Sequence, residues 1–277
     1  MLVVATSALC VSGWAQAKDL PEIEKQGVMT VATEDNYSPF NFIDKGEPAG
    51  INKDLLEELR KYSKFEVKQE ILPWTGLLAA VSGGQYDLAL TGAVMTDARL
   101  NAFDFTPPMA SAQHYFVARA SDDSIKTIDD LDGKVVGLQA GSALLERLPE
   151  LQAMLEKDGK KLGKVVQYQS YPEAYADLAN GRVDYVINTV ISVNEIVKSK
   201  PNVFKKGLPV SGPGFISWPV PKNNPELLAY LTGFFDHLKE TGKLAELQQK
   251  WFGESFTHLP AEAITSVDQY HKLTAVN

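Results

Sequence analysis

The sequence predicts an α/β protein built from two units, and three observations carry that prediction. Short β-rich runs alternate with helical patterns, which is the sequence mark of βαβ crossovers and parallel sheets. After a connecting segment at Gln113 to Ala118 the same alternation starts again. The chain has 277 residues, about two compact units at roughly 150 residues each.

The elements follow in order. Met29 to Thr33 reads as the first strand. Ile51 to Tyr62 carries apolar Ile51, Leu55, Leu56 and Leu59 at helical spacing, with charged residues opposite. Phe65 to Leu72 alternates as a strand does. Gly76 to Val81 reads as a helix stopped by Gly83 and Gly84, and Tyr86 to Leu90 as a buried strand. In the second unit Ile128 to Leu131 is a short helix, Val135 to Gln139 a strand and Ala143 to Leu155 a helix. Val165 to Tyr168 is a strand, Pro172 to Ala179 a helix and Val183 to Asn188 a strand. A Pro/Gly-rich return runs from Leu208 through Gly214. Asn224 to Trp251 is helical, with a break near Gly242. No internal repeat of fixed period and no low-complexity run is present.

Composition narrows the function. With 44% hydrophobic, 22% charged and 9% aromatic residues, the chain has the make-up of an ordinary globular protein. Its 27 Lys+Arg against 35 Asp+Glu give a net charge of -8, the wrong balance for a nucleic-acid or anionic-membrane binder. Residues 1–17 are uncharged, with an apolar run ending in Ala15-Gln16-Ala17, as in a secretory signal peptide. No Lys or Arg precedes that run. Cleavage after Ala17 would remove Cys10, the single cysteine, and leave a thiol-free chain suited to an oxidising periplasm. No later stretch is long and apolar enough to cross a membrane.

Several blocks then converge on one family. Tyr37-Ser38-Pro39-Phe40 follows the first strand, and Gly50-Ile51-Asn52-Lys53-Asp54-Leu55 opens the first helix. Trp74-Thr75-Gly76-Leu77-Leu78 precedes Ser82-Gly83-Gly84-Gln85-Tyr86-Asp87. Thr91-Gly92-Ala93-Val94-Met95-Thr96-Asp97-Ala98-Arg99 leads to Phe103-Asp104-Phe105-Thr106. Leu131-Asp132-Gly133-Lys134 and Gly141-Ser142 stand in the second unit. Leu178-Ala179-Asn180-Gly181-Arg182-Val183-Asp184 and Lys250-Trp251-Phe252-Gly253 complete the series. In this order the chain resembles the periplasmic solute-binding proteins of polar amino-acid ABC transporters, over about residues 28 to 253. The resemblance implies a two-lobe periplasmic binding protein-like fold. Each lobe is a mainly parallel sheet flanked by helices, and two hinge-crossing strands join the lobes. Lobe one takes residues 18–112 and 214–277, lobe two residues 113–213. It further implies capture of a small carboxylate solute by hinge closure, with delivery to a permease in the inner membrane. A monomer with no cofactor and no metal is expected.

The resemblance also assigns roles. Arg99, presented by a turn that Thr96 caps, would clamp the ligand's carboxylate through its planar donor fork. The alternative is a surface arginine paired with Asp97 or Asp104. Gly141 and Ser142, between a strand and a helix, would grip the same carboxylate from lobe two; otherwise Ser142 is a plain N-cap. Thr91, Gly92 and Ala93 would receive the ligand's ammonium, Gly92 allowing close approach. Tyr37 and Trp74 would form aromatic walls, with Phe40 and Phe42 as packing. By position alone, Glu34 and Asp35 at the end of the first strand would either meet a cationic ligand group or lie in a solvated loop. Two positions depart from the family pattern. Thr189 stands where members that bind common α-amino acids carry an Asp for the ammonium, and Val94 where Ser or Thr bonds the carboxylate. A neutral bond at Thr189 is roughly half as strong as the charge-assisted one. The departures point to a modified amino acid, an opine-like conjugate or a carboxylate lacking the free ammonium.

Catalytic signatures such as a Gly-x-Ser-x-Gly elbow, a P-loop or a dinucleotide-binding glycine fingerprint are absent. The four histidines lack metal-ligand spacing. The rival reading is a periplasmic dehydratase of the cyclohexadienyl type on the same scaffold. It requires a general acid such as Glu34 or Asp35 held in the cleft with a raised pKa.

Overall fold

A computed structural model describes residues 17–275. Apart from Ala17, the signal segment lies outside the described residues. Helix α1 (Leu20–Gln26) starts at Asp19, whose carboxylate accepts the Leu20 N–H, and ends at Gly27 in the left-handed conformation. Strand β1 (Val28–Glu34) leads into a small antiparallel sheet of β2 (Asn36–Tyr37), β3 (Asn41–Asp44) and β4 (Glu47–Ala49). Helix α2 (Ile51–Tyr62), β5 (Glu66–Leu72), α3 (Trp74–Ser82) and β6 (Leu88–Ala89) follow. β5 and β6 flank β1 in parallel. Met29, Val31 and Ala32 are fully buried, as expected for a parallel strand covered on both faces. The α2 stripe read from Ile51, Leu55, Leu56 and Leu59 is buried. The first residues of α3 are irregular: Thr75 and Gly76 have non-helical dihedrals, Gly76 at φ +92°, so the regular turns begin near the predicted Gly76. Strand β7 (Ala93–Val94), α4 (Asp97–Ala102), β8 (Phe103–Phe105) and β9 (Ala110–Ser111) end this first passage.

The second sheet is contributed by residues between His114 and Pro209. It contains β10 (His114–Arg119), a 3-10 turn at Asp129–Leu131, β11 (Val136–Gln139), α5 (Ala143–Glu156) and β12 (Val165–Tyr168). Helix α6 (Tyr171–Ala179), β13 (Tyr185–Thr189), α7 (Val190–Ser199) and β14 (Phe204–Pro209) complete it. The strand order is β12-β11-β13-β10-β14. β11 is parallel to β12 and β13, the part foreseen from the strand–helix rhythm. β10 runs antiparallel to β13 and β14, so the entering and leaving strands lie side by side.

The chain then returns to the first lobe. Strand β15 (Phe215–Ser217) pairs antiparallel with β7 and β9, and β16 (Pro219–Pro221) with β8. Helices α8 (Pro225–Glu240) and α9 (Lys243–Phe252) are separated by Gly242 at φ +73°, the break read from the sequence. After α9, Ile264 forms an isolated bridge with Phe105 and α10 (Val267–Thr274) follows. Where the chain crosses between lobes the two segments are tied: Ala112 N–H donates to Gly214 O (2.8 Å) and His114 N–H to Ser211 Oγ (3.0 Å). Arg147 and Glu150 of α5 clasp the return segment, Arg147 donating to the Gly212 and Pro213 carbonyls and Glu150 accepting from the Gly212 N–H. The structure is therefore of the two-lobe binding-protein class. Helices α1, α7 and α10 and strands β2 to β4, β7 to β9 and β14 to β16 have no counterpart in the sequence reading.

Candidate functional site

Arg99 occupies the first turn of α4, where Thr96 Oγ1 accepts its backbone N–H (3.2 Å). The cap fixes the direction in which the side chain leaves the helix. The guanidinium is 7% exposed and makes no ion pair with Asp97 or Asp104. Asp97 instead pairs with His271 (2.9 Å), and Asp104 with Lys222 (2.5 Å). Arg99 Nη1 donates to Val94 O (2.8 Å), and Nη2 crosses to Gly141 O of the second lobe (3.1 Å). Its Cζ lies 5.1 Å from the centre of the Trp74 ring, a cation–π distance. Burial lowers the guanidinium's pKa, opposed by the fields of Glu146, Tyr37 and Glu34. The charge is thus buried with neutral partners, an arrangement that favours an incoming anion.

The second lobe supplies the opposite wall. Gln139 ends β11, Gly141 takes φ +69°, and Ser142 is the N-cap residue of α5. Ser142 caps nothing with its side chain: its Oγ is buried and has no hydrogen-bond partner among the described residues. The Tyr171 hydroxyl at the start of α6 likewise has no partner of hydrogen-bond geometry, although it lies beside Ser142, whose hydroxyl acts to lower its pKa. First-turn N–H groups of a helix lack intrahelical partners, and Ser142, Ala143 and Leu144 at the α5 terminus line the pocket. Thr189 caps α7 and shares a hydrogen bond with the Tyr37 hydroxyl (3.3 Å), another contact between lobes. Asn188 is turned away, donating to the Tyr175 hydroxyl (3.1 Å).

On the first lobe, Glu34 at the end of β1 is 4% exposed and accepts a hydrogen bond from Thr91 Oγ1. Burial pushes its carboxyl up to about 8, against the hydrogen bond from Thr91 and the field of Arg99. It is therefore largely protonated at neutral pH. Burial also holds the Tyr37 hydroxyl at about 12 and raises Tyr171 further, so both stay protonated. Packing also requires a glycine at Gly92. A Cβ there would lie 2.6 Å from Phe40 Cγ and 2.9 Å from Tyr37 Cε1, closer than real contacts allow. Phe40 stacks on Tyr37 with centroids 5.0 Å apart.

These side chains enclose a pocket of about 30 Å³. Of the residues singled out from sequence, Glu34, Tyr37, Trp74, Gly92, Val94, Arg99 and Ser142 line it. Thr91, Gly141 and Thr189 bond to lining residues instead. Ala93 does not line this pocket: it is buried in β7, paired with Ser217. Sequence reasoning passed over Gln139, Ala143, Leu144 and Tyr171, which also line the pocket. The first three follow or precede the recognised Gly141-Ser142 turn, and that adjacency was the available signal. No group of three or more potential metal ligands occurs among the described residues.

A buried cation thus lies at the seam of two α/β lobes. The chain belongs to the bacterial extracellular solute-binding proteins, family 3, whose model matches residues 29–254. It is 27% identical over 263 residues to an L-cystine-binding protein of Escherichia coli strain K12, covering 93% of this chain and 94% of that one. It is 28% identical over 225 residues to the ABC transporter arginine-binding protein 1 of the same strain, covering 78% and 87%. Among solved structures, an ancestral amino acid-binding protein described as a precursor of cyclohexadienyl dehydratase superposes with TM-score 0.74 at 26% identity, covering 84% of this chain and 99% of that one.

Proposed function

We propose that this protein is the periplasmic solute-binding component of an ABC transporter. It captures an amino acid or amino-acid-like carboxylate between its lobes and delivers it, as a monomer, to an inner-membrane permease. The observation that carries the reading is the Arg99 guanidinium, buried at the seam and, among the described residues, hydrogen-bonded only to the carbonyls of Val94 and Gly141. A solute carboxylate replacing a carbonyl there exchanges a neutral acceptor for a charged one, about twice as strong. Ser142 Oγ and the α5 N-terminus supply donors from lobe two. Trp74 and Tyr37 wall the site. Lobe one as residues 18–112 and 214–277, and lobe two as 113–213, are part of this reading, supported by the return of β15 to pair with β7 and β9. The names of the relatives support an amino-acid class of solute. Closure is a population shift: a solute touching both lobes stabilises the closed form.

The dehydratase reading is kept because of one observation, the buried carboxyl of Glu34 with its pKa near 8, the acid such chemistry needs. Incubation with prephenate and arogenate separates the two, and no turnover is expected. Calorimetry of Arg99→Ala against the tightest solute in a panel of amino acids and substituted carboxylates should show binding abolished with an unchanged circular dichroism spectrum. Retained affinity removes the carboxylate clamp.

A further inference from the structure

A groove of about 570 Å³ runs along the second lobe between α6 and α7 and adjoins the Arg99 pocket. Two residues, Tyr37 and Tyr171, line both spaces. Their rings are near-parallel (23°) with centroids 6.0 Å apart, and together they form the partition between pocket and groove. One leaf of this partition comes from each lobe. Separation of the lobes parts the rings and joins the two compartments. Beyond them the aromatic wall continues, Tyr171 to Tyr175 at 6.0 Å and Tyr175 to Phe204 at 5.7 Å.

The chemistry changes along this line. The Arg99 pocket, at about 30 Å³ against about 570 Å³ for the groove, is the smaller compartment. At the partition the polar groups are uncharged: Thr189 Oγ1 on the Tyr37 hydroxyl, Ser192 Oγ donating to Ser38 O (3.0 Å), and the unpaired Tyr171 hydroxyl. The groove itself presents Tyr175, Ala176, Ala179, Val203 and Phe204, with Glu195 and Lys200 among its other lining residues.

We propose that the groove is the second compartment of the solute site and that the solute is an N-acylated amino acid. Its carboxylate meets Arg99, its apolar acyl tail lies along Tyr175 and Phe204, and its neutral amide sits between Tyr37 and Tyr171, whose rings part beyond their present 6.0 Å to admit it. This rests on the carboxylate-binding reading above. An acylated nitrogen carries no charge, which matches hydroxyl groups where an ammonium needs a carboxylate. Glu34, protonated at neutral pH by its burial, fits the same solute because it offers a donor instead of an anion. The unpaired Ser142 and Tyr171 hydroxyls gain partners from the carboxylate and the amide.

The test is calorimetry on the purified chain with glycine, N-acetylglycine, N-hexanoylglycine, N-benzoylglycine, glutamine, arginine and cystine. The expected result is that N-hexanoylglycine and N-benzoylglycine bind at least about tenfold tighter than N-acetylglycine, from the extra apolar surface buried. Ala176→Trp, a substitution at an exposed position on the groove side of α6, should erase that advantage and leave N-acetylglycine unchanged. Equal affinity for short and long acyl groups overturns the proposal, as does an Ala176→Trp variant that binds N-hexanoylglycine as the parent does. Tight binding of a free amino acid with no gain from acyl tails overturns the second compartment alone. Binding of none of these carboxylates overturns both this proposal and the reading it rests on.

Discussion

At Arg99 the local sequence does much of the placing. Thr96 caps the turn, the side chain leaves it in one direction, and the guanidinium reaches Gly141 O of the other lobe at 3.1 Å. That Thr-x-x-Arg arrangement was legible because both residues belong to one turn. Gly92 was legible as a glycine at a strand end, but its cause was not: the Phe40 and Tyr37 rings that forbid a Cβ come from elsewhere in the chain. Tyr171 was missed because a single aromatic at a helix start carries no pattern, and its neighbour Tyr37 belongs to the other lobe. Glu34 gives a prediction at this scale. Its folded pKa is raised from 4.5 to about 8, so the folded state holds a proton that the unfolded state releases across that window. Its contribution is fully present below 4.5 and is lost as pH rises through about 8. Glu34→Gln should therefore flatten the fall in stability of the solute-free protein between these values, read from urea midpoints at a series of pH values. An unchanged slope would show that Glu34 is not protonated in the folded state.

Elements with clean periodicity were read nearly to the residue: Ile51–Tyr62 as α2 and Val165–Tyr168 as β12. Helix α7 escaped because β13 runs straight into it, with Thr189 serving both as the last strand residue and as the helix cap, and no glycine or proline between them. Helix α10 escaped because it is short and only Tyr270 of its residues is buried. The stretch after residue 254 lies beyond the family match, yet it is fastened to lobe one. Ile264 exchanges both backbone hydrogen bonds with Phe105 at 2.9 Å, Lys222 joins Asp104 to the Thr265 carbonyl, and His271 meets Asp97 beside the Arg99 turn. Ile264 is fully buried. Ile264→Ala should cost about 2–5 kcal/mol of stability, measured by urea denaturation. A loss below about 0.5 kcal/mol, the range of ordinary surface changes, would show that this segment is not part of the core.

At the level of the molecule, two α/β units were visible in the rhythm of the chain. The return of the chain to the first lobe was not, since β15 and β16 are three residues each and pair with strands about a hundred residues earlier. It was implied only by resemblance to the family. The closed arrangement has its own fastenings. Besides Arg99 to Gly141 and Tyr37 to Thr189, Ser192 reaches the Ser38 carbonyl and Thr75 reaches Gln169 (3.2 Å). A mouth latched by its own side chains admits a guest only while the latches happen to be undone. If these latches hold in the empty chain, uptake is clocked by spontaneous gaping; if the solute itself draws the jaws together, it is clocked by collisions. In stopped-flow traces of tryptophan fluorescence, with Trp74 against the latch, the observed rate should climb with solute concentration and level off at the gaping frequency. A rate that rises in proportion to concentration throughout would mean that the jaws stand ajar before anything arrives.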